Sequence, residues 1–135
     1  MFLDASAIVA ILTREAGHDA LTASLAQAER PRTSPLAIFE AALGIRRKRY
    51  CAVAEAEQDV RAFLEIARVN VVPIADADGH GALDAFSRFG KGTGHPAQLN
   101  MGDCFAYAVA RNIGATILFA GEGFSKTDAP TWRSG

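Results

Sequence analysis

The chain has 135 residues, with 14 Lys and Arg against 15 Asp and Glu, a formal net charge of −1 and an apolar half. That length suits a single domain over residues 1–135, able to bury roughly two-thirds of its unfolded surface. The apolar fraction excludes a disordered segment, and the charge balance removes a bulk basic surplus as a sign of a nucleic-acid partner.

Phe2-Leu3-Asp4 reads as a short buried strand ending in an acid, with Ser6 as N-cap of an apolar helix over 7–12. A second helix covers about 17–28 and is broken by Arg30-Pro31-Arg32. Thr33-Ser34-Pro35 opens a third that runs to Arg49, with Pro35 in its first turn. A fourth helix spans about 52–68, the β-branched run 69–74 predicts a strand, and 77–89 is helical. Gly90 to Pro96 holds too much Gly and Pro for regular structure. Asn100 caps a helix over 101–112 that Gly114 stops, followed by a strand at 116–119 and a loop at 121–124. Strands alternating with helices predict an α/β layer fold with a mostly parallel sheet.

Cys51 and Cys104 lie far apart without CxxC spacing, so neither a disulfide framework nor a zinc site is expected. The opening residues lack the basic region of a signal peptide, and no apolar run approaches the ~18 residues of a membrane span. A cytoplasmic protein with no membrane partner is expected.

The informative residues are carboxylates at positions where patterning favours apolar side chains. Asp4 ends the first strand, where sites gather in parallel sheets, although Asp is also a good N-cap. Leu36, Glu40, Leu43 and Arg47 share one helical face, which sets Glu40 inside or at the edge of an apolar stripe. A carboxylate there calls for a cation, either a metal or an arginine. Asp103 follows Asn100 at capping-box spacing, and its helical neighbours Ala106, Tyr107 and Ala110 suit packing on a sheet. Glu122 follows the last strand, in a loop where a solvated glutamate is the ordinary reading. Strand ends, helix starts and an inward helix face converge on one edge of such a sheet. Three or four carboxylates without His or Cys suit magnesium, whose natural work is phosphate chemistry. Metal-assisted phosphodiester hydrolysis is the expectation.

At these residues the sequence resembles a PIN-domain ribonuclease of the VapC type, the toxin half of a type II (VapBC) toxin–antitoxin pair. Met1-Phe2-Leu3-Asp4-Ala5-Ser6-Ala7 resembles the family's opening hydrophobic-Asp-x-Ser-Ala, and Ser34 to Glu40 resembles the motif that delivers the second acid. Gly92 to Ala97 and Leu99-Asn100-Met101-Gly102-Asp103 with its aromatic helix resemble the stretch carrying the third. The resemblance implies a PIN-like α/β/α sandwich with a parallel five-stranded sheet, dependence on Mg2+ or Mn2+, and endonucleolytic cleavage of RNA. It also implies a homodimer and a cognate VapB-type antitoxin that blocks the acidic pocket. Asp4, Glu40 and Asp103 carry over as catalytic and metal-holding acids; beside them Ser6, two residues after Asp4, is a candidate to hydrogen-bond a metal-bound water or to cap the helix, and Asn100 is a supporting cap.

The last motif departs. Where the family shows Gly-Asp/Asn-Asp-Phe-x-x-Thr-Asp, this chain has Gly121-Glu122-Gly123-Phe124-Ser125-Lys126-Thr127-Asp128. Glu122 is the expected fourth catalytic acid and Asp128 a supporting one. Gly123 favours the alternative of a catalytically weak module that binds RNA or antitoxin.

Arg46, Arg47, Lys48 and Arg49 form the densest basic cluster, suited to RNA phosphates or an acidic antitoxin segment, or to a solvated helix end. The glycine-rich run 90–95 lacks P-loop order but is a candidate for close approach to the pocket. His18, His80 and His95 have no ligand spacing, and Cys104 has no identifiable base.

Overall fold

Neighbouring residues of a strand point to opposite faces of its sheet, and here that alternation separates two cores. The computed structural model describes residues 1–132, so the last three residues of the single-domain expectation lie outside the described residues. Four short parallel strands, β1 (Phe2–Leu3), β2 (Arg32–Thr33), β3 (Asn70–Val71) and β4 (Ile117–Leu118), lie in the order β3-β2-β1-β4. Phe2 and Ile117 enter one core with Leu99, Tyr107 and Val109, while Leu3 and Leu118 enter the other with Ile8, Ile38 and Ile45.

Six helices complete the two outer layers: α1 (Ala5–Leu12), α2 (His18–Ala26), α3 (Pro35–Arg49), α4 (Val53–Ile66), α5 (Asp76–Phe89) and α6 (Met101–Asn112). The first four cover the face of Leu3, and α5 packs on α6 over the face of Phe2. Alanine makes the close packing possible. Ala82 and Ala85 face Ala106, Ala108 and Ala110 in one buried cluster, and a Cβ added at Gly81 would meet the Ala108 Cβ at 3.1 Å. The result is the expected α/β/α sandwich with a parallel sheet.

Several expectations need correction. The sheet has four strands among the described residues, not five. The fifth is reduced to a bridge between Thr131 and Ile117, and Pro130 beside it supplies a carbonyl but no N–H to continue the ladder. β2 was hidden because Arg30-Pro31-Arg32 reads as a break. Pro31 instead lies directly before the strand, and its carbonyl accepts from Asn70 N at 3.0 Å. The predicted strand over 69–74 pairs only through Asn70 and Val71 at the sheet edge. The N-cap of α1 is Asp4, not Ser6.

Ser34 caps α3, its Oγ accepting from Ala37 N at 3.1 Å, and Pro35 occupies the first turn. Because α3 carries a candidate acid, its start matters. Ser34→Ala is expected to lower unfolding free energy by about 1 kcal/mol, read from urea denaturation. An unchanged midpoint and slope would contradict this capping role.

The crossovers define where a site belongs. From β1 the chain passes through helices on one face to reach β2, whereas β3 is joined to β4 through helices on the other. The adjacent strands β1 and β4 therefore flank the point where the connections change sides, and ligand crevices open there beyond the strands' carboxyl ends.

Candidate active site

Asp4 is placed by two local demands: β1 ends at Leu3, and α1 needs an acceptor for its unpaired N-terminal amides. Its carboxylate is buried, and its Oδ2 accepts from Ser6 N at 3.0 Å and from Ser6 Oγ at 2.6 Å. The Ser6 hydroxyl in turn accepts from Ala120 N at 3.0 Å, which ties the residue after β1 to the segment after β4. Burial pushes the Asp4 carboxyl up to about 6 against those hydrogen bonds.

Asp103 sits three residues into α6's cap. Asn100 Oδ1 accepts from Asp103 N at 2.9 Å, and Asp103 Oδ2 accepts from Asn100 N at 3.0 Å, a full capping box. Burial raises this carboxyl too, opposed by the Asn100 backbone bond. The capping box fixes the Asp103 side chain where it lines the cleft.

Glu40 arrives from the opposite wall. The Leu36–Glu40–Leu43–Arg47 face is not the core stripe of α3, which is Ala37, Ile38, Ala41, Ala42 and Ile45. Leu43 is 36% exposed, and Glu40, Leu43, Gly44, Arg47 and Lys48 all line the same cleft. The periodicity identified a real face but assigned it to the core. Burial first, then the charges of Asp4 and Asp103, push the Glu40 carboxyl up to about 7.

Gly102 makes the meeting of α3 and α6 possible, a role that sequence reasoning missed. A Cβ at Gly102 would fall on the Glu40 carboxylate. A glycine in the first turn of a helix, against its low propensity, was the available signal. Because the obstructed group is the far end of a flexible side chain, Gly102→Ala is expected to shift stability by less than about 1 kcal/mol. It is also expected to weaken divalent-cation affinity by about tenfold through displacement of Glu40. Calorimetric titration beside thermal denaturation checks this, and unchanged affinity would contradict the displacement.

The cleft encloses about 670 Å³, and Asp4, Ser6, Glu40, Asn100 and Asp103 gather at one end of it. No Lys or Arg among the described residues forms an ion pair with any of the three acids. Three carboxylates with raised pKa values and no imidazole or thiolate make a donor set for a hard cation. Among the described residues, no three His, Cys, Asp or Glu side chains close around a common point tightly enough to ligate an ion alone.

Glu122 and Asp128 fall outside this cleft. Gly121 lines it but turns at φ +96, and the next side chain swings outward. Glu122 is 84% exposed at its side chain and lies 4.0 Å from Lys126. Asp128 is held elsewhere, accepting from Tyr107 Oη at 2.6 Å and from Arg88 at 2.7 Å. The glycine-rich run 90–95 also stays away; His95 stacks edge-on against Phe89 at 5.0 Å. Cys104 is buried beside Asp103, and burial with that charge pushes its thiol up to about 11, which leaves it inert. Of the basic cluster, Arg47 and Lys48 reach the cleft rim.

The sequence profile of the PIN domain matches residues 1–130, and the chain belongs to the PIN domain family. It is 41% identical to a VapC ribonuclease of Rhizobium meliloti (strain 1021), over 94% of this chain and 97% of that protein. It is 35% identical to the ribonuclease VapC42 of Mycobacterium tuberculosis, over 95% of each. The fold matches the crystal structure of Mycobacterium tuberculosis VapC20, a sarcin-ricin loop cleaving toxin. The TM-score is 0.76 and the identity 18%, with 98% of each chain covered. Among the described residues no helix is long and apolar enough to cross a membrane.

Proposed function

We propose that this protein is a metal-dependent endoribonuclease toxin of the VapC type, hydrolysing RNA phosphodiester bonds in the cleft beyond β1 and β4. The observation that carries the reading is the convergence of Asp4, Glu40 and Asp103 from three elements without a protein cation to neutralise them. Relatives named as VapC ribonucleases along nearly the whole chain support it. A VapB-type antitoxin as partner and a homodimer belong to the same reading.

Asp4, Glu40 and Asp103 would hold Mg2+, or Mn2+ in its place. Such an ion supplies charge neutralisation at the phosphate and a more acidic bound water. The rest is the work of the chain's own residues. Ser6 fixes the Asp4 carboxylate by two hydrogen bonds, and Asn100 fixes that of Asp103. Glu40 approaches the site from α3, half-buried like Asp103, while Asp4 is buried.

One observation favours the weaker alternative, a module that binds RNA or antitoxin without efficient cleavage: the fourth acid, Glu122, faces solvent. Incubating purified protein with RNA in Mg2+ or EDTA, beside Asp103→Asn, separates the two. Cleavage that needs both the cation and Asp103 supports the nuclease. Binding without cleavage in either condition supports the module, and cleavage that survives EDTA and Asp103→Asn contradicts the metal site.

A further inference from the structure

The cleft has a second end. Its α3 wall presents Glu40, Leu43, Gly44, Arg47 and Lys48, the i, i+3, i+4, i+7, i+8 face of one helix. Arg47 therefore lies two turns beyond Glu40, roughly 10 Å along the axis, on the same opening. Between them the floor is apolar, formed by Val9, Leu43 and Gly44. Gly44 keeps that floor low, because a Cβ there would meet Val9 Cγ2 at 3.0 Å.

The four basic residues at this helix end are not equivalent. Lys48 is committed to Glu15, and Arg49 to Asp59 and the Leu12 carbonyl. Arg47 forms no ion pair or hydrogen bond among the described residues, and it lines the cleft. Arg46 forms none either but lies outside the lining. The cleft is thus lined by the three acids, the apolar Val9–Gly44 stretch, and a Lys48–Glu15 pair whose charges offset each other, which leaves Arg47 as its unpaired cation among the described residues.

We infer that Arg47 holds the RNA phosphate next to the one cleaved, with the intervening sugar or base resting on the Val9–Gly44 floor. This rests on the nuclease reading for which phosphate is cleaved, but not for the binding itself. A guanidinium presents paired donors that match phosphate oxygens, and phosphate contacts of this kind set the register of a strand. An apolar floor beside a lone guanidinium offers a sugar or base a contact surface and its phosphate a paired donor, which an acidic peptide without a flat ring would use less fully.

The test uses a short fluorescein-labelled single-stranded RNA and fluorescence anisotropy, in the Asp4→Asn background so that no strand is cut. Arg47→Gln and Arg46→Gln each remove one charge from the same helix turn. Arg47→Gln is expected to weaken binding about tenfold and to flatten the logarithmic salt dependence by about 0.7, with a markedly smaller effect for Arg46→Gln. Equal effects of the two substitutions would overturn the inference. So would RNA binding indifferent to Arg47, including the case where Arg47→Gln weakens only an acidic protein partner. Cleavage by the wild-type chain is measured in parallel. No cleavage with a retained Arg47 effect sinks the nuclease and keeps the phosphate subsite, whereas intact cleavage with equal Arg effects does the reverse.

Discussion

Asp4→Asn is expected to abolish RNA cleavage, by about a hundredfold or more, while making the metal-free protein more stable. Both effects come from one buried charge. Asn preserves the shape and the N-cap acceptor that Ser6 N uses, so α1 keeps its start. What is lost is a carboxylate that burial holds at about 6 instead of its ordinary 3.8. At neutral pH the folded state carries that ionised group at a cost, on the order of 3 kcal/mol, which the variant does not. Differential scanning fluorimetry in EDTA should therefore show the variant melting several degrees higher, with cleavage assayed on the same preparation. A variant that melts lower would contradict the cost assigned to Asp4, and one that still cleaves would remove Asp4 from the site.

The pH dependence follows with a definite sign. Asp4 and Glu40 titrate near 6 and 7 in the folded chain, but at their ordinary 3.8 and 4.5 once it unfolds. Between about pH 4 and 7 the folded state binds more protons, so these groups make stability fall as pH rises through that window. The cost is absent below the unfolded values and complete above the folded ones. The melting difference between Asp4→Asn and wild type should thus vanish near pH 4 and level off above pH 7. Divalent cations compete with the same protons, so stabilisation by Mg2+ or Mn2+ should grow across that range. A cation shift that is flat from pH 5 to 8 would place the bound ion away from these carboxylates.

The positions of Asp4 and Asp103 were legible because each is fixed by local rules that a sequence displays: a strand end before a helix, and a capping box. Glu40 was legible as a face but not as a location. Helical periodicity reports which residues share a side, not whether a neighbouring layer or a cleft lies opposite. Gly102 and Arg47 needed the tertiary structure, since one matters through a Cβ it lacks and the other through pairings its neighbours make. The same limit explains Glu122 and Asp128. The end of β4 was evident in the pattern, but the positive-φ turn at Gly121 and the pull of Arg88 and Tyr107 on Asp128 depend on contacts from distant residues. In the fold, β2 and the shortened fifth strand escaped notice because two-residue strands beside proline leave no alternation to read.

Once only Asp4, Glu40 and Asp103 are set aside as a metal-holding group, the near balance of charge describes two regions. One is an acidic end that a cation would neutralise, and the other a surface with a small excess of basic residues. The most direct measurement is a Mn2+ titration followed by electron paramagnetic resonance. It compares wild type with Asp4→Asn, Glu40→Gln, Asp103→Asn and Glu122→Gln. Loss of ion binding in the first three, with Glu122→Gln binding like wild type, is the expected result. Binding that survives the first three substitutions, or that depends on Glu122, would contradict the three-carboxylate site.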